Sequence, residues 1–258
     1  MGEGTAALIN PFGAAMRQAQ AKEYEGVRPT YPDAAYQAVL AGRAAAVVDV
    51  GAGTGQFTRG LTRRGVPTTA VEPSEAMRQA LQSKSWARQA EEGGILEVLP
   101  TSAEATGLPE DSADAVVWAQ CSHWLDIPAA AAEAARILRR GGTLSVVSNQ
   151  LAVQIPWVHR LSRIMRSGDV VRRDRSPDLG PLFGPPALVE VPWGQALSVT
   201  QCLALARTRS SYLAADEGRQ AKMQENLRWY LLDHLGLDPA RDFFLPYRTL
   251  VWSAQVRG

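Results

Sequence analysis

The chain has 258 residues, 27 Lys and Arg against 26 Asp and Glu, and a formal net charge of +1. That length can bury the core of one large α/β domain, and a charge so close to zero offers a polyanion no strong field, which argues against nucleic acid as a partner. No stretch approaches the roughly 18 to 20 apolar residues of a membrane span, and the opening MGEGTAALINPFGAAM lacks a basic segment followed by a long apolar run, so the expectation is a cytoplasmic protein with no membrane partner.

The first informative segment is YEGVRPTYP, which holds Tyr24, Arg28 and Tyr31. Pro29 and Pro32 stiffen it, so that it can lie over a pocket as an ordered strap. The Arg28 guanidinium can clamp a carboxylate, or it can make an ordinary surface ion pair. A helical pattern follows from Ala34 to Leu40. The four-residue apolar strand Val47–Val50 then runs into Gly51, Gly53 and Gly55, and a second helical pattern covers Phe57 to Leu61. Glycines at such a turn accept left-handed angles and let a ligand lie against main-chain N–H groups. Asp49 stands inside the apolar strand, where an ionised carboxylate needs partners, so it is read as a site residue or as half of a structural ion pair.

A second strand, Thr68–Val71, ends at Glu72, the position from which a carboxylate accepts hydrogen bonds from a ribose diol. Turn and acid together read as a site for an adenosine-bearing molecule. The glycine register is GxGxG with Gln56 where a dinucleotide fingerprint has its last glycine, which disfavours a pyrophosphate. Ser74 suits a helix N-cap or the edge of an adenine, and Met77 suits the core or that same edge.

Further strands are expected at Ile95–Leu99, Ala115–Trp118 and Thr143–Val147, alternating with helices, which implies a parallel sheet covered on both faces. Ligands of such sheets sit outside the carboxyl ends of the strands. The glycine turn, Glu72, the loop Thr101–Glu104 and Gln120 all fall at those ends. His123 and Trp124 follow Gln120; the histidine can serve as a general base, since its ordinary pKa is near neutral, or it can be a packed wall of the pocket. An alanine-rich helix from Pro128 to Arg140 is expected to close at Gly141–Gly142, with Arg136, Arg139 and Arg140 in its last turns.

From Gln150 to about Glu190 the pattern loosens: an amphipathic piece at Trp157–Met165, then GDVVRRDRSPDLGPLFGPP, dense in Gly, Pro and charge, as an inserted cap would be. Arg163, Arg166, Arg172, Arg173 and Arg175 interleave with Asp169, Asp174 and Asp178, which reads as a solvated face of mixed charge. Trp124, Trp157, Trp193 and Trp229 can line an aromatic pocket or fill core. Helices resume at Val199–Ala206 and Ala221–Leu235, and Arg248–Val256 alternates as an antiparallel strand does. Cys121 and Cys202 lie far apart without a CxxC, and His123, His159 and His234 show no ligand spacing, so neither a disulfide nor a metal site is expected.

The stretch VVDVGAGTGQFTRGLTRRGVPTTAVEPSEAMRQAL resembles motifs I and II of the class I S-adenosylmethionine-dependent methyltransferases. YEGVRPTYPDAAYQAVL, ATGLPEDSADAVVWAQCSHWLD and ILRRGGTLSVVSNQ look like the small-molecule group that includes trans-aconitate methyltransferase. The resemblance implies a doubly wound, Rossmann-like α/β sheet, mostly parallel with an antiparallel C-terminal strand, plus an inserted helical cap. It implies one domain over 1–258: an N-terminal helical strap at 1–45, a cofactor-binding core at 46–150, the cap at 151–190, and C-terminal helices and strands at 191–258. S-adenosylmethionine would be the cofactor, held by Tyr24, Arg28, Asp49, Gly51, Ala52, Gly53, Gly55, Glu72, Pro73, Met77, Ser102, Ala103, Glu104 and Gln120. Ser102 stands where the family usually has an acidic residue in the loop that contacts adenine.

The implied reaction is methylation of oxygen or nitrogen on a small molecule, such as a carboxylate or a natural-product intermediate. Tyr31, His123, Trp124 and Trp157 are the candidates for the substrate pocket, and His123 is the candidate catalytic group. Nucleic-acid amino-methylation is disfavoured, because no NPPY-type turn follows the fourth strand. Two other readings remain: a protein that keeps the pocket but acts as a scaffold or regulatory partner, and a nicotinamide-dependent oxidoreductase. A monomer or a homodimer fits either way.

Overall fold

A computed structural model describes residues 26–41, 45–166 and 176–257. Its centre is one seven-stranded sheet in the order β3-β2-β1-β4-β5-β7-β6. The strands are β1 (Val47–Val50), β2 (Thr68–Val71), β3 (Leu96–Leu99), β4 (Ala113–Ala119), β5 (Leu138–Leu151), β6 (Ala187–Leu197) and β7 (Phe243–Gln255). The first five run parallel, and β7 lies antiparallel between β5 and β6. β1 is buried at every position, as a strand covered on both faces must be. The doubly wound sheet and its reversed C-terminal strand agree with the sequence reading.

The helices are α1 (Asp33–Leu40), α2 (Gln56–Thr62), α3 (Glu75–Gln82), α4 (Ser85–Glu92), α5 (Ile127–Ile137), α6 (Pro156–Ile164), α7 (Val199–Arg207), α8 (Ser210–Leu213) and α9 (Glu217–Trp229), which continues as one wider turn through Tyr230–His234. Their starts are chemically marked. Ser74 caps α3 by accepting from the Met77 N–H, and Asp126 caps α5 by accepting from Ala129 with Pro128 in the first turn. Ser198 and Gln201 form a reciprocal capping box at α7.

Two expectations need correction. The helix expected over Pro128–Arg140 ends at Ile137, because the Asp111 and Ser112 amides take the carbonyls of Arg136 and Ile137. Leu138 already pairs with Ala113, and the register then shifts before Ala115 pairs with Thr143. Gly141 sits in that bulge at φ +78°, and a Cβ on Gly142 would meet the Arg139 and Asp114 carbonyls at 2.8 and 3.0 Å. Arg139 is therefore not a helix-end cation; it pairs with Asp114 at 2.6 Å. The second correction is β6, which the reading along the chain did not place and which straddles the boundary expected at 190 between the cap and the C-terminal helices and strands. It is an edge strand, so Pro192, which has no N–H to offer, is tolerated there.

Apolar side chains gather on both faces. On one face, α5, Leu179 and Phe183 pack on Val50, Trp118 and Val146. On the other, α1 and α2 pack on Val47, Val117, Val147 and Val251 through Tyr36 and Phe57. A separate cluster joins α6, α7 and α9 to Leu245 and Tyr247. Among the described residues no helix is long and apolar enough to cross a membrane, and no cluster of His, Cys, Asp and Glu could hold a metal. Cys121 and Cys202 are buried free thiols.

Candidate active site

The carboxyl ends of β1, β2, β4 and β5 open into a cleft of about 770 Å³. The strap residues Arg28, Pro29 and Tyr31 line it from one side, and Trp124, Leu125 and Asp126, at the entrance to α5, line it from the other. Its floor is the turn that follows β1. Gly51, Gly53 and Gly55 all have positive φ, at 66, 57 and 82°. The three are not equivalent. A Cβ at Gly51 would come within 2.7 Å of Cys121 Cβ, and one at Gly55 would press on Leu81 and Trp86, whereas at Gly53 the nearest atom would be the Gly51 carbonyl at 4.0 Å. Gly51 and Gly55 serve packing; Gly53 leaves open the backbone that faces the cleft.

Glu72 is buried, and each of its carboxylate oxygens has a backbone donor: Gly53 N–H at 2.8 Å and Ser74 N–H at 2.8 Å. The acid thus ties the ends of β1 and β2 together while lining the cleft. Burial nonetheless pushes its pKa above the ordinary carboxylate value. Asp49 is fully buried, and Thr58 donates to its Oδ2 at 2.6 Å. Its Oδ1 has no partner, and burial raises its pKa to about 7. An orphaned carboxylate oxygen at the base of a cleft is costly by itself and suited to a ligand with donors or positive charge.

Gln120 closes β4 in the left-handed region, φ 61°, with its N–H on Val147 O at 2.9 Å and its Nε2 on Asn149 O at 3.0 Å. Because a carbonyl only accepts, the amide nitrogen is fixed on that bond. Ser102, Ala103 and Glu104 line the cleft beside β3, and Glu104 accepts from the Asp126 N–H at 3.1 Å. Arg28 donates to Thr208 O, beyond the end of α7, at 2.7 Å. Tyr31 meets Phe57 edge-on at 4.9 Å.

Of the residues singled out in the sequence, Arg28, Tyr31, Asp49, Gly51, Ala52, Gly53, Glu72, Pro73, Met77, Ser102, Ala103, Glu104, Gln120 and Trp124 line this one cleft, and Gly55 closes its turn. Tyr24 lies outside the described residues, as do Asp169, Arg172, Arg173, Asp174 and Arg175. Arg163, Arg166 and Asp178 are solvent-exposed. His123 is not on the lining. It is exposed beside Trp124, ring centroids 4.8 Å apart, and partial desolvation lowers its pKa. Trp157 is also elsewhere: it packs on the C-terminal core near Phe243, and its carbonyl accepts from Tyr230. Trp193 stacks on Tyr247, and Trp229 is half exposed under Arg160. Sequence reasoning missed Phe57, Cys121, Asp126 and Asn149 on the lining. Asn149 stands at the end of β5, where the strand-end rule that selected Gln120 applies equally.

A glycine-turn cleft at the carboxyl ends of a sheet whose last-but-one position is filled by a reversed strand defines the class I methyltransferase fold. The family profile described as "Methyltransferase domain" matches residues 48–146. An uncharacterized methyltransferase of Mycobacterium tuberculosis (strain ATCC 25618 / H37Rv) is 34% identical over 234 residues, covering 90% of this chain and 92% of that one. An uncharacterized methyltransferase-like protein of Schizosaccharomyces pombe is 31% identical over 148 residues, 55% of each chain. Among solved structures, a candidate type II methyltransferase of Anaeromyxobacter dehalogenans superposes with a TM-score of 0.60 at 24% identity, covering 89% of this chain and 97% of that one. The chain belongs to the methyltransferase family, and S-adenosylmethionine is its cofactor.

The cleft fits that cofactor on its own chemistry. Asp49, Glu72, Glu104 and Asp126 give it acidic character, and the orphaned Asp49 Oδ1 and the open backbone at Gly53 are what a cationic, donor-rich ligand requires. Bound there, S-adenosylmethionine supplies a sulfonium methyl for in-line displacement. The protein's part is to hold donor and nucleophile in line and to keep water out.

Proposed function

We propose that this methyltransferase acts on an oxygen or nitrogen atom of a small molecule inside the cleft, with the chain working as one domain in which the strap forms the roof. The observation that carries the reading is the cleft itself: its volume lies in the range of small-molecule sites, and side chains of the strap line one side of it. Glu72 would take the ribose, the Gly51–Gly55 backbone the amino-acid portion, and the Ser102–Glu104 loop the adenine. Tyr31, Phe57 and Trp124 would wall the acceptor, and Gln120, whose Nε2 is committed to β5, would offer Oε1 as an acceptor of hydrogen bonds.

Among the described residues the lining has no histidine. We infer that the acceptor is a group that attacks without a histidine base, such as a carboxylate or a neutral amine, with His123 beside the cleft. A carboxylate acceptor agrees with the sequence likeness to the trans-aconitate group. The test is to incubate the purified protein with S-adenosylmethionine and a panel of small carboxylic acids, amines and phenols, following S-adenosylhomocysteine release and the mass gained by the acceptor. Turnover with a carboxylate or amine is expected. Turnover only with DNA, RNA or protein would refute the reading, and tight cofactor binding with no turnover at all would favour a scaffold.

A further inference from the structure

Three strands and the strap meet at one polar chain, buried at its centre, whose direction is fixed by chemistry. Trp193 Nε1, on β6, donates to Thr249 Oγ1, on β7, at 2.9 Å. The Thr249 hydroxyl donates to Asn149 Oδ1, on β5, at 2.5 Å, and Asn149 Nδ2 donates to the strap carbonyl of Thr30 at 2.8 Å. An indole N–H can only donate and a backbone carbonyl can only accept, so every link between them has one polarity. Thr249 is fully buried and Asn149 is 6% exposed, so no water can cheaply replace the link between them, while the end links to Trp193 and to the exposed Thr30 are partly buried. The Asn149 carbonyl also receives Gln120 Nε2, and Gln195, two residues from Trp193, donates to Val27 O at the strap's start at 3.3 Å.

We propose that Asn149 is a positioning residue of the cofactor cleft, and that Trp193 and Thr249 orient it, so that the C-terminal strands hold the strap, and with it Arg28 and Tyr31, over the site. One asparagine fixes two things at once: its side chain holds the roof and its main-chain oxygen holds the Gln120 carboxamide. The inference depends on the cofactor site alone and is independent of which acceptor is methylated.

The decisive experiment combines amide hydrogen exchange of the strap with calorimetric titration of S-adenosylhomocysteine, neither of which needs turnover. Asn149→Asp keeps the shape and the acceptor for Thr249 but sets an oxygen against the Thr30 carbonyl. It should speed exchange at the non-proline amides of residues 26–31 and weaken S-adenosylhomocysteine about tenfold, the scale of one lost hydrogen bond, while β1 and β2 keep their protection. Thr249→Val should act in the same direction more weakly, Thr249→Ser should restore near-normal strap exchange, and Trp193→Phe should have the smallest effect. If Asn149→Asp does not fold, the Thr249→Val and Thr249→Ser pair decides. The proposal is overturned if strap exchange or S-adenosylhomocysteine affinity is unchanged in Thr249→Val, if Thr249→Ser behaves like Thr249→Val, or if all amides of β5 and β7 lose protection together with the strap, since that is the signature of general destabilisation.

Discussion

The two halves of the sheet do different work with different materials. In the parallel half, β1 to β4 are short strands of mostly apolar residues, and apart from Asp49 inside β1 the polar groups they bring to the cleft lie just past their carboxyl ends. In the antiparallel half, β5, β7 and β6 are long strands of 14, 13 and 11 residues, with polar side chains such as Asn149, Gln150, Arg248 and Thr249 buried within them. One half binds by backbone and strand ends; the other holds its neighbours by side-chain hydrogen bonds. The lesson is that tolerance to substitution should differ between the halves even for the same residue type.

Glycine gives the sharpest contrast. Gly51→Ala, in the parallel half, adds a Cβ 2.7 Å from Cys121 Cβ at φ +66°. Left-handed strain of about 1–2 kcal/mol and overpacking of about 1–3 kcal/mol should add, so denaturant unfolding should show a loss of several kcal/mol, with S-adenosylhomocysteine binding abolished. Gly60→Ala is the next test. Helix propensity alone predicts a gain of about 1 kcal/mol, yet the new Cβ would lie 2.0 Å from Tyr36 Cζ, in a ring only 4% exposed. A net loss of about 1–2 kcal/mol is expected, and a raised Tm would break the account of how α1 seats on α2.

Asp49 gives the parallel half a pH dependence of its own. Its pKa of about 7 in the folded chain lies above the ordinary value of 3.8, so the native state holds a proton that the unfolded chain gives up. Stability from this group is complete below about pH 4 and is lost as pH rises towards 7. Asp49→Asn should therefore unfold with a flatter pH dependence than the parent between about 4 and 7, measured without ligand. An identical slope would show that Asp49 is already ionised in the native cleft. The smallest effect belongs to the antiparallel half: at Gly194 the atoms nearest to a Cβ would be those of the Phe244 side chain, at 3.3 Å and beyond, and that residue is 72% exposed. The ring can swing aside, so Gly194→Ala should change stability by no more than about 0.5 kcal/mol.

The same contrast explains what could be read in advance. The parallel half was legible because its strands are local apolar runs and its ligand groups sit at a fixed place relative to them: Gly51–Gly55, Glu72 and Gln120 are each found by walking to the end of a strand. β6 was not legible because Glu190, Pro192 and Gly194 break the apolar run, and an edge strand tolerates all three. Asn149 lay in plain view within the fifth strand, but its bond to Thr249 spans 100 positions, and no local pattern reports it. Trp157 shows the opposite failure: an aromatic residue on an amphipathic helix looks alike whether it faces a cleft or, as here, the core of α6, α7 and α9.

Whether the cofactor is held where Glu72 joins the ends of β1 and β2 is decided by calorimetric titration of the native protein and of Glu72→Ala with S-adenosylhomocysteine. The native protein should give a saturable heat with one site per chain. The variant loses both the partner of the ribose hydroxyls and the anchor of the Gly53 and Ser74 amides, and it should bind at least about tenfold more weakly, in line with hydrogen bonds to a charged group at roughly 1.5–3 kcal/mol. Equal affinity in the two proteins, or no heat from the native one, would contradict the account.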